Sequence, residues 1–224
     1  MPPVVRPGWM KLLCLLACLA ASSRPALAGE CNDEAGEQAL KSIEKYARDP
    51  KAKPAEVWGL CLDQVIVTEP RRTARFLAAC GKILETDRTY GVCVEWPIKV
   101  GQKQLGKTDL FDLVEEAFQM DPLGWDSPPA LLYTKLDDPR AMPRLIAGWK
   151  TQLAAKQQPR ASWQLQGWAR FRTGTARFLG KHGGATERAF LAEQLAATRD
   201  PEIAKPLRAA IAAIDKRAAA ASKP

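Results

Sequence analysis

One histidine, His182, serves the whole chain of 224 residues. That scarcity removes the Ser–His and Cys–His pairs that activate nucleophiles for acyl transfer, and most imidazole metal sites. The cysteines never form a C-x-x-C pair: Cys31, Cys61, Cys80 and Cys93 stand 30, 19 and 13 residues apart. Zinc sites of the finger type depend on close ligand pairs, so no structural metal and no cofactor is expected. No glycine-rich phosphate loop is present either, since Gly183-Gly184 follows a helical pattern and reads as its stop. The adjacent carboxylates Glu115-Glu116 and Asp137-Asp138 point in different directions on a helix rather than across a cleft. A hydrolytic pair would have to be assembled from distant residues, which leaves catalysis as the last of three functional readings.

Long apolar runs are missing as well. Leu12–Ala21 covers ten residues, about half of what a membrane span requires. It follows Arg6 and Lys11 and precedes Ala26-Leu27-Ala28, a small-residue cleavage site. A positive end, a short apolar middle and an A-x-A site compose a secretion signal. Residues 1–28 are therefore expected to be removed between Ala28 and Gly29. The mature protein is expected in the periplasm or outside the cell, without stable membrane insertion.

In that compartment four cysteines read as two disulfides, with three possible pairings. The stretch Tyr90–Val100 is hard to read, because β-branched residues and Pro97 argue against any regular element. If it is a short helix, Cys80 and Cys93 stand about equally far from a turn near Asp87. That favours Cys80–Cys93 with Cys31–Cys61 over Cys61–Cys80 with Cys31–Cys93.

What remains is helical in period. Leu110, Leu113, Val114, Ala117 and Phe118 repeat at i, i+3, i+4, i+7 and i+8, the stripe of an amphipathic helix, with Thr108 as its candidate cap. Further helices are expected over Asp33–Ala47, Pro54–Val67, Pro70–Glu85, Trp163–Lys181, Thr186–Ala197 and Pro201–Lys216. Ser127-Pro128-Pro129 should open a helix running to about Leu136, and Pro139 another. The alanine-rich tail, 218–224, is expected to be disordered. No segment requires a sheet.

Asp138-Pro-Arg-Ala-Met-Pro-Arg-Leu145 resembles the start of the second helix of a HEAT-like repeat, of the short type known from phycobilisome lyases. Ala130–Leu136 fits the first helix of such a unit, and Thr186–Lys216 repeats the design around Asp200-Pro201. The resemblance covers residues 127–217 and implies paired helices that stack to bury a shared apolar face. Asp138 and Asp200 stand 62 residues apart, against a period of roughly 40–47 in regular arrays. The expectation is therefore an all-α, irregular helical array or solenoid with HEAT-like helix pairs. It forms a single domain over 29–217, with a disulfide-bearing part at 29–126 and the repeats at 127–217. Such repeats usually bind proteins, which implies a non-catalytic interaction scaffold with a protein partner.

Charge supplies the second reading. The chain is +8 overall, yet residues 151–224 alone hold 13 Lys and Arg against 5 Asp and Glu. At about 100° per residue, Arg170, Arg177 and Lys181 lie close together on one helix, beside the apolar stripe of Trp168, Phe171, Thr175 and Phe178. That ridge is a candidate surface for an anionic partner, whether nucleic acid, an acidic envelope polymer or an acidic protein face. Trp149 and Trp168 fall on apolar faces and are expected in the core.

Overall fold

Helices are the only regular elements among the described residues. The structure, a computed structural model, describes residues 33–49, 70–82, 91–95, 97–99, 109–120, 124–125, 127–155 and 162–222. In order the elements are α1 (Asp33–Arg48), α2 (Pro70–Cys80), a π-helical turn (Gly91–Glu95), α3 (Leu110–Met120), α4 (Pro128–Tyr133), α5 (Ala141–Ala154), α6 (Ser162–His182), α7 (Ala185–Ala197) and α8 (Pro201–Ala221). The all-α architecture is as the periodicity requires. The signal segment 1–28, the cleavage point Ala28/Gly29, Cys31, Cys61 and the helix expected at 54–67 lie outside the described residues.

The short helix α4 is the hub. Its sequence Pro-Pro-Ala-Leu-Leu-Tyr has no polar face, and Ala130, Leu131, Leu132 and Tyr133 are all buried. A helix that is apolar all round must be covered on every side. Accordingly α4 packs against α2, α3, α5, α6 and the π-helical turn. One continuous core results, running from Leu40 and Ile43 of α1 through Phe76 and Leu77 of α2 to Leu207 and Ile214 of α8.

Beyond α4, the longest contact is between α6 and α8. Ala169–Arg177 of α6 face Glu202–Ala209 of α8, and Gly180 lies against Ala210. Increasing number on one helix thus matches increasing number on the other. The two run in the same direction, and α7 joins them in the chain and packs mainly on α8. The approach at Gly180 is close: a Cβ there would lie 2.8 Å from Ala210 Cα. Glycine is required because the obstacle is backbone, which cannot swing aside.

Cys80, at the end of α2, and Cys93, in the π-helical turn, form a disulfide with Cα atoms 5.9 Å apart. This is the favoured half of the expected pairing. Both cysteines are fully buried, and the bridge closes a 13-residue separation. On a chain-entropy argument such a loop contributes about 3 kcal/mol.

Ion pairs tie successive helices. Arg75 of α2 reaches Glu44 at 2.9 Å and Glu37 at 3.1 Å on α1. Arg140 gathers Asp109, Asp112 and Asp138, the last from the turn before α5 and the others from the start of α3. Being exposed, the Arg140 cluster aligns the helices more than it stabilises them.

Several boundaries differ from expectation, each for a local reason. Thr108 lies outside the described residues, and Asp109 caps α3, its carboxylate accepting from the Phe111 N–H at 2.9 Å. Ser127 precedes α4 with extended backbone, but its buried hydroxyl caps nothing among the described residues. The helix stops at Tyr133 rather than Leu136. Pro139 does not open α5; Asp138 accepts from the Arg140 N–H at 2.9 Å, and this turn delays the helix to Ala141. Helix α2 ends at Cys80, where Gly81 and Lys82 turn, before the expected Glu85. At the other end, α8 continues through the alanines to Ala221, as the high helix propensity of alanine allows, so most of the expected disordered tail is helical.

Candidate functional site

Along the facing surfaces of α6 and α8, Leu131 of α4 and the turn residues Thr134 and Lys135 border a cleft of about 740 Å³. Its floor is apolar, made of Leu131, Ala169, Ile203, Pro206 and Ala209, and Gly174 on its lining lets Thr134 approach α6 closely, since a Cβ there would lie 2.7 Å from the Thr134 hydroxyl oxygen. Its charged lining consists of Lys135, Arg170, Arg177 and Lys205 against the single carboxylate Glu202. A second hollow of about 290 Å³ shares Arg177, Pro206 and Ala209 with the first and adds Lys181 and Arg217. The two form one groove along α6 and α8 with six cations and one carboxylate on its lining.

Length follows from helix geometry. Glu202 to Ala213 spans about 16 Å along α8 at 1.5 Å per residue. An extended chain at about 3.3 Å per residue would lay about five residues in it.

Two of the three expected ridge residues, Arg170 and Arg177, do line one cleft. Lys181 stands further along, and its ammonium is 2.5 Å from the Asp137 carboxylate. That carboxylate also meets His182 Nε2 at 2.7 Å. Asp137 is held ionised: the hydrogen bond from Lys181 lowers its pKa first, and His182 adds to the effect. Lys181, one of the three expected ridge residues, is thus already engaged by a carboxylate of the chain. Arg217 is committed too, donating from Nη2 to the Gly183 carbonyl at 2.7 Å and from Nη1 to the Gly180 carbonyl. It caps the C-terminus of α6 from a neighbouring helix.

Among the described residues no carboxylate pairs with Lys135, Arg177 or Lys205. These are the cations open to a partner. Lys135 and Lys205 escaped the sequence reading because they sit off α6, on the turn after α4 and on α8. The usable signal was the i, i+4 spacing of Lys205 and Ala209 beside Pro206, which places a cation above a floor of small residues.

Carboxylates from distant positions do converge, but on arginines. Glu115 of α3 takes Arg144 of α5 and accepts from the Tyr133 hydroxyl at 2.7 Å. Burial pushes its pKa up, yet the bonds from Arg144 and Tyr133 outweigh that and leave it lowered. Asp138 is likewise lowered, by Arg140 before all else. Groups held ionised in this way are unsuited to donate a proton as a general acid. Among the described residues no group of three His, Cys, Asp or Glu side chains is placed to hold a metal ion. Nor, among them, is any helix long and apolar enough to cross a membrane.

Trp149 is buried as expected, edge-on to Phe190 at 5.8 Å. Trp168 is not: it is half exposed, with the Arg172 guanidinium 5.4 Å from its ring centre. The helical wheel placed it beside Phe171, but it sits on the edge of the buried stripe, against Arg172.

No protein-family model matches the chain, and neither does any curated protein or any solved structure. The functional reading therefore rests on the groove.

Proposed function

We propose that this chain is an exported, non-catalytic helical-repeat module, a protein-interaction scaffold whose α6–α8 groove receives an acidic, extended segment of its partner. The carrying observation is the groove lining, with Lys135, Arg177 and Lys205 unpaired among the described residues above an apolar floor. Cations without internal partners keep their full interaction for an incoming anion, while the floor rewards apolar side chains between the acids. Parallel α6 and α8 packed directly on each other, with α7 against α8, supply the rigid stack that a repeat scaffold needs. Export is supported by the composition of residues 1–28 and is compatible with the Cys80–Cys93 bridge.

The cationic excess favours a second reading, an anionic polymer in the same groove. Salt separates the two. A polyphosphate or polysulfated chain releases counterions, and its affinity falls steeply with ionic strength. An acidic peptide with apolar residues keeps part of its affinity at high salt.

The test is titration of the mature protein with a capped peptide of alternating acidic and apolar residues, and separately with polyphosphate, at two salt concentrations. A triple variant, Lys135→Gln/Arg177→Gln/Lys205→Gln, serves as comparison. The proposal expects the variant to lose about tenfold or more for the peptide, as the removal of several charge contacts implies. Equal peptide affinity of wild type and variant would overturn it. Tight polyphosphate binding with a steep salt slope, and none of the peptide, would transfer the groove to the second reading.

A further inference from the structure

A second arginine site lies on a different face of α6 from the groove. Arg172 follows Arg170 by two residues, about 200° around the helix, so the two point to nearly opposite sides. Its surroundings are made by α5. Gln152 is only 4 % exposed, and its amide nitrogen donates to the Trp125 carbonyl at 3.1 Å, which fixes the side-chain oxygen. That oxygen accepts from Arg172 Nε at 3.1 Å. The guanidinium lies 5.4 Å from the Trp168 ring centre and 5.9 Å from that of Trp149.

The arginine is held, yet its charge is not answered. Among the described residues no carboxylate comes within ion-pairing distance of it, and its two terminal nitrogens make no hydrogen bond. Burial lowers its pKa from the usual arginine range, and only the distant charge of Asp200 acts in the other direction. Asp200 is occupied in any case, accepting from the Glu202 N–H at 2.9 Å as the cap of α8. Arginine remains charged at neutral pH, so this is a partly dehydrated cation whose direct partners among the described residues are an amide and two indole faces. Partial burial of an unpaired charge costs stability, and an anion in contact with it would return that cost.

The outer edge of a guanidinium presents two parallel N–H donors matched to a carboxylate. Exposed apolar side chains stand on the same two helices. Leu165, seven residues before Arg172 and so on nearly the same face of α6, is 48 % exposed, and Leu153, which follows Gln152 on α5, is 53 % exposed. Trp168, half exposed, lies between Leu165 and Arg172 on that face. A carboxylate alone would leave these side chains in water; one flanked by apolar groups would cover them.

We infer that Arg172, braced by Gln152, Trp149 and Trp168, is a binding site for the side-chain carboxylate of an acidic residue set between apolar residues in a partner polypeptide. It is distinct from the α6–α8 groove and does not depend on it. Arg172 supplies the paired donors, Leu153 and Leu165 supply the apolar flanks, and Gln152 keeps the fork from rotating.

The experiment is calorimetric and tryptophan-fluorescence titration of the full mature chain with acetyl-Leu-Glu-Leu-amide, and with the corresponding glutamine peptide as control. Both termini of the peptide are blocked, so its only charge is the glutamate. Saturable binding of the Glu peptide is expected, with a fluorescence change as Trp149 and Trp168 lose part of their contact with the cation. The Gln peptide should bind at least tenfold more weakly, and Arg172→Gln should weaken the Glu peptide by a similar factor, the weight of a charge-assisted pair. Arg172→Lys, which keeps the charge and stem but loses the fork, should fall between the two and guards against misfolding of the Gln variant. The triple groove variant should bind as wild type does. Absence of saturable binding to the wild type, equal affinity for the two peptides, or loss in the groove variant with Arg172→Gln unaffected would each overturn the assignment.

Discussion

Replacing Tyr133 by phenylalanine removes one oxygen and leaves the ring in place. The ring is held by Phe118 at 5.5 Å and, edge-on, by Phe111 at 5.8 Å, and these contacts survive the change. What is lost is the 2.7 Å bond from the hydroxyl to the Glu115 carboxylate. Tyr133 is buried, and burial together with Glu115 raises the pKa of its hydroxyl, so it is a neutral donor at any working pH. Hydrogen bonds to charged groups contribute about 1.5–3 kcal/mol. Arg144 still answers Glu115 in the variant, which argues for the lower end, about 1.5 kcal/mol. In urea melts followed by tryptophan fluorescence, a slope of about 2 kcal/mol/M turns that into a midpoint shift of about 0.7 M. The loss must also depend on pH. Glu115 has a lowered pKa in the folded state. Its contribution is therefore complete above the unfolded value of about 4.3 and disappears as pH falls through the folded value. The gap between wild type and Tyr133→Phe should be complete above the unfolded value of about 4.3 and shrink only as acid protonates the folded carboxylate. A gap that widens on acidification, or one below about 0.5 kcal/mol at neutrality, would refute the view that this hydroxyl serves an ionised carboxylate.

Two other substitutions test how the helices are joined. Gly180→Ala should destabilise although alanine is the better helix former: the gain of about 1 kcal/mol in propensity is outweighed by overpacking of about 1–3 kcal/mol against the Ala210 backbone. A lowered thermal midpoint, by about 2–4 °C per kcal/mol lost, is the expected reading, and a raised one would show that α6 and α8 are not in backbone contact. Cys93→Ser, or reduction of the wild type, should cost about 3 kcal/mol through the freed loop between α2 and the π-helical turn, and unfolding with and without reductant measures it. An unchanged midpoint would exclude the Cys80–Cys93 bridge from the folded protein.

The parts of this fold that were legible are those in which one helix decides its own pattern. The stripe from Leu110 to Phe118 faces inward on α3, and Phe171, Thr175 and Phe178 are buried on α6. Asp200-Pro201 opens α8 as read, with the aspartate carboxylate accepting from the Glu202 N–H. Ends were less legible wherever a polar side chain could take either of two roles. Ser127 looked like a cap, but its hydroxyl is buried against α4; Asp138 looked like the residue before a helix, and instead closes a turn with Arg140. Trp168 was misplaced because its neighbour Arg172 is held on the same side by Gln152, a contact 20 residues away in sequence.

Charge shows the same division more sharply. A helical wheel finds cations that share a face of one helix, and Arg170 and Arg177 were found in this way. It has no means of finding Lys135 and Lys205, whose place beside them depends on α4 and α8 packing against α6 in one register. Nor can it tell a spent cation from an open one. Lys181 lies within the same arc as Arg177, yet Asp137, 44 residues earlier, answers one and not the other. Arg172 was passed over on the wheel for the opposite reason: it sat next to the apolar stripe and had no cationic neighbours on its face. An anion-binding surface is therefore better recognised by which cations the fold leaves unanswered than by where cations accumulate. In this chain Lys135, Arg177 and Lys205 meet that criterion within the groove, and Arg172 meets it on another face of α6.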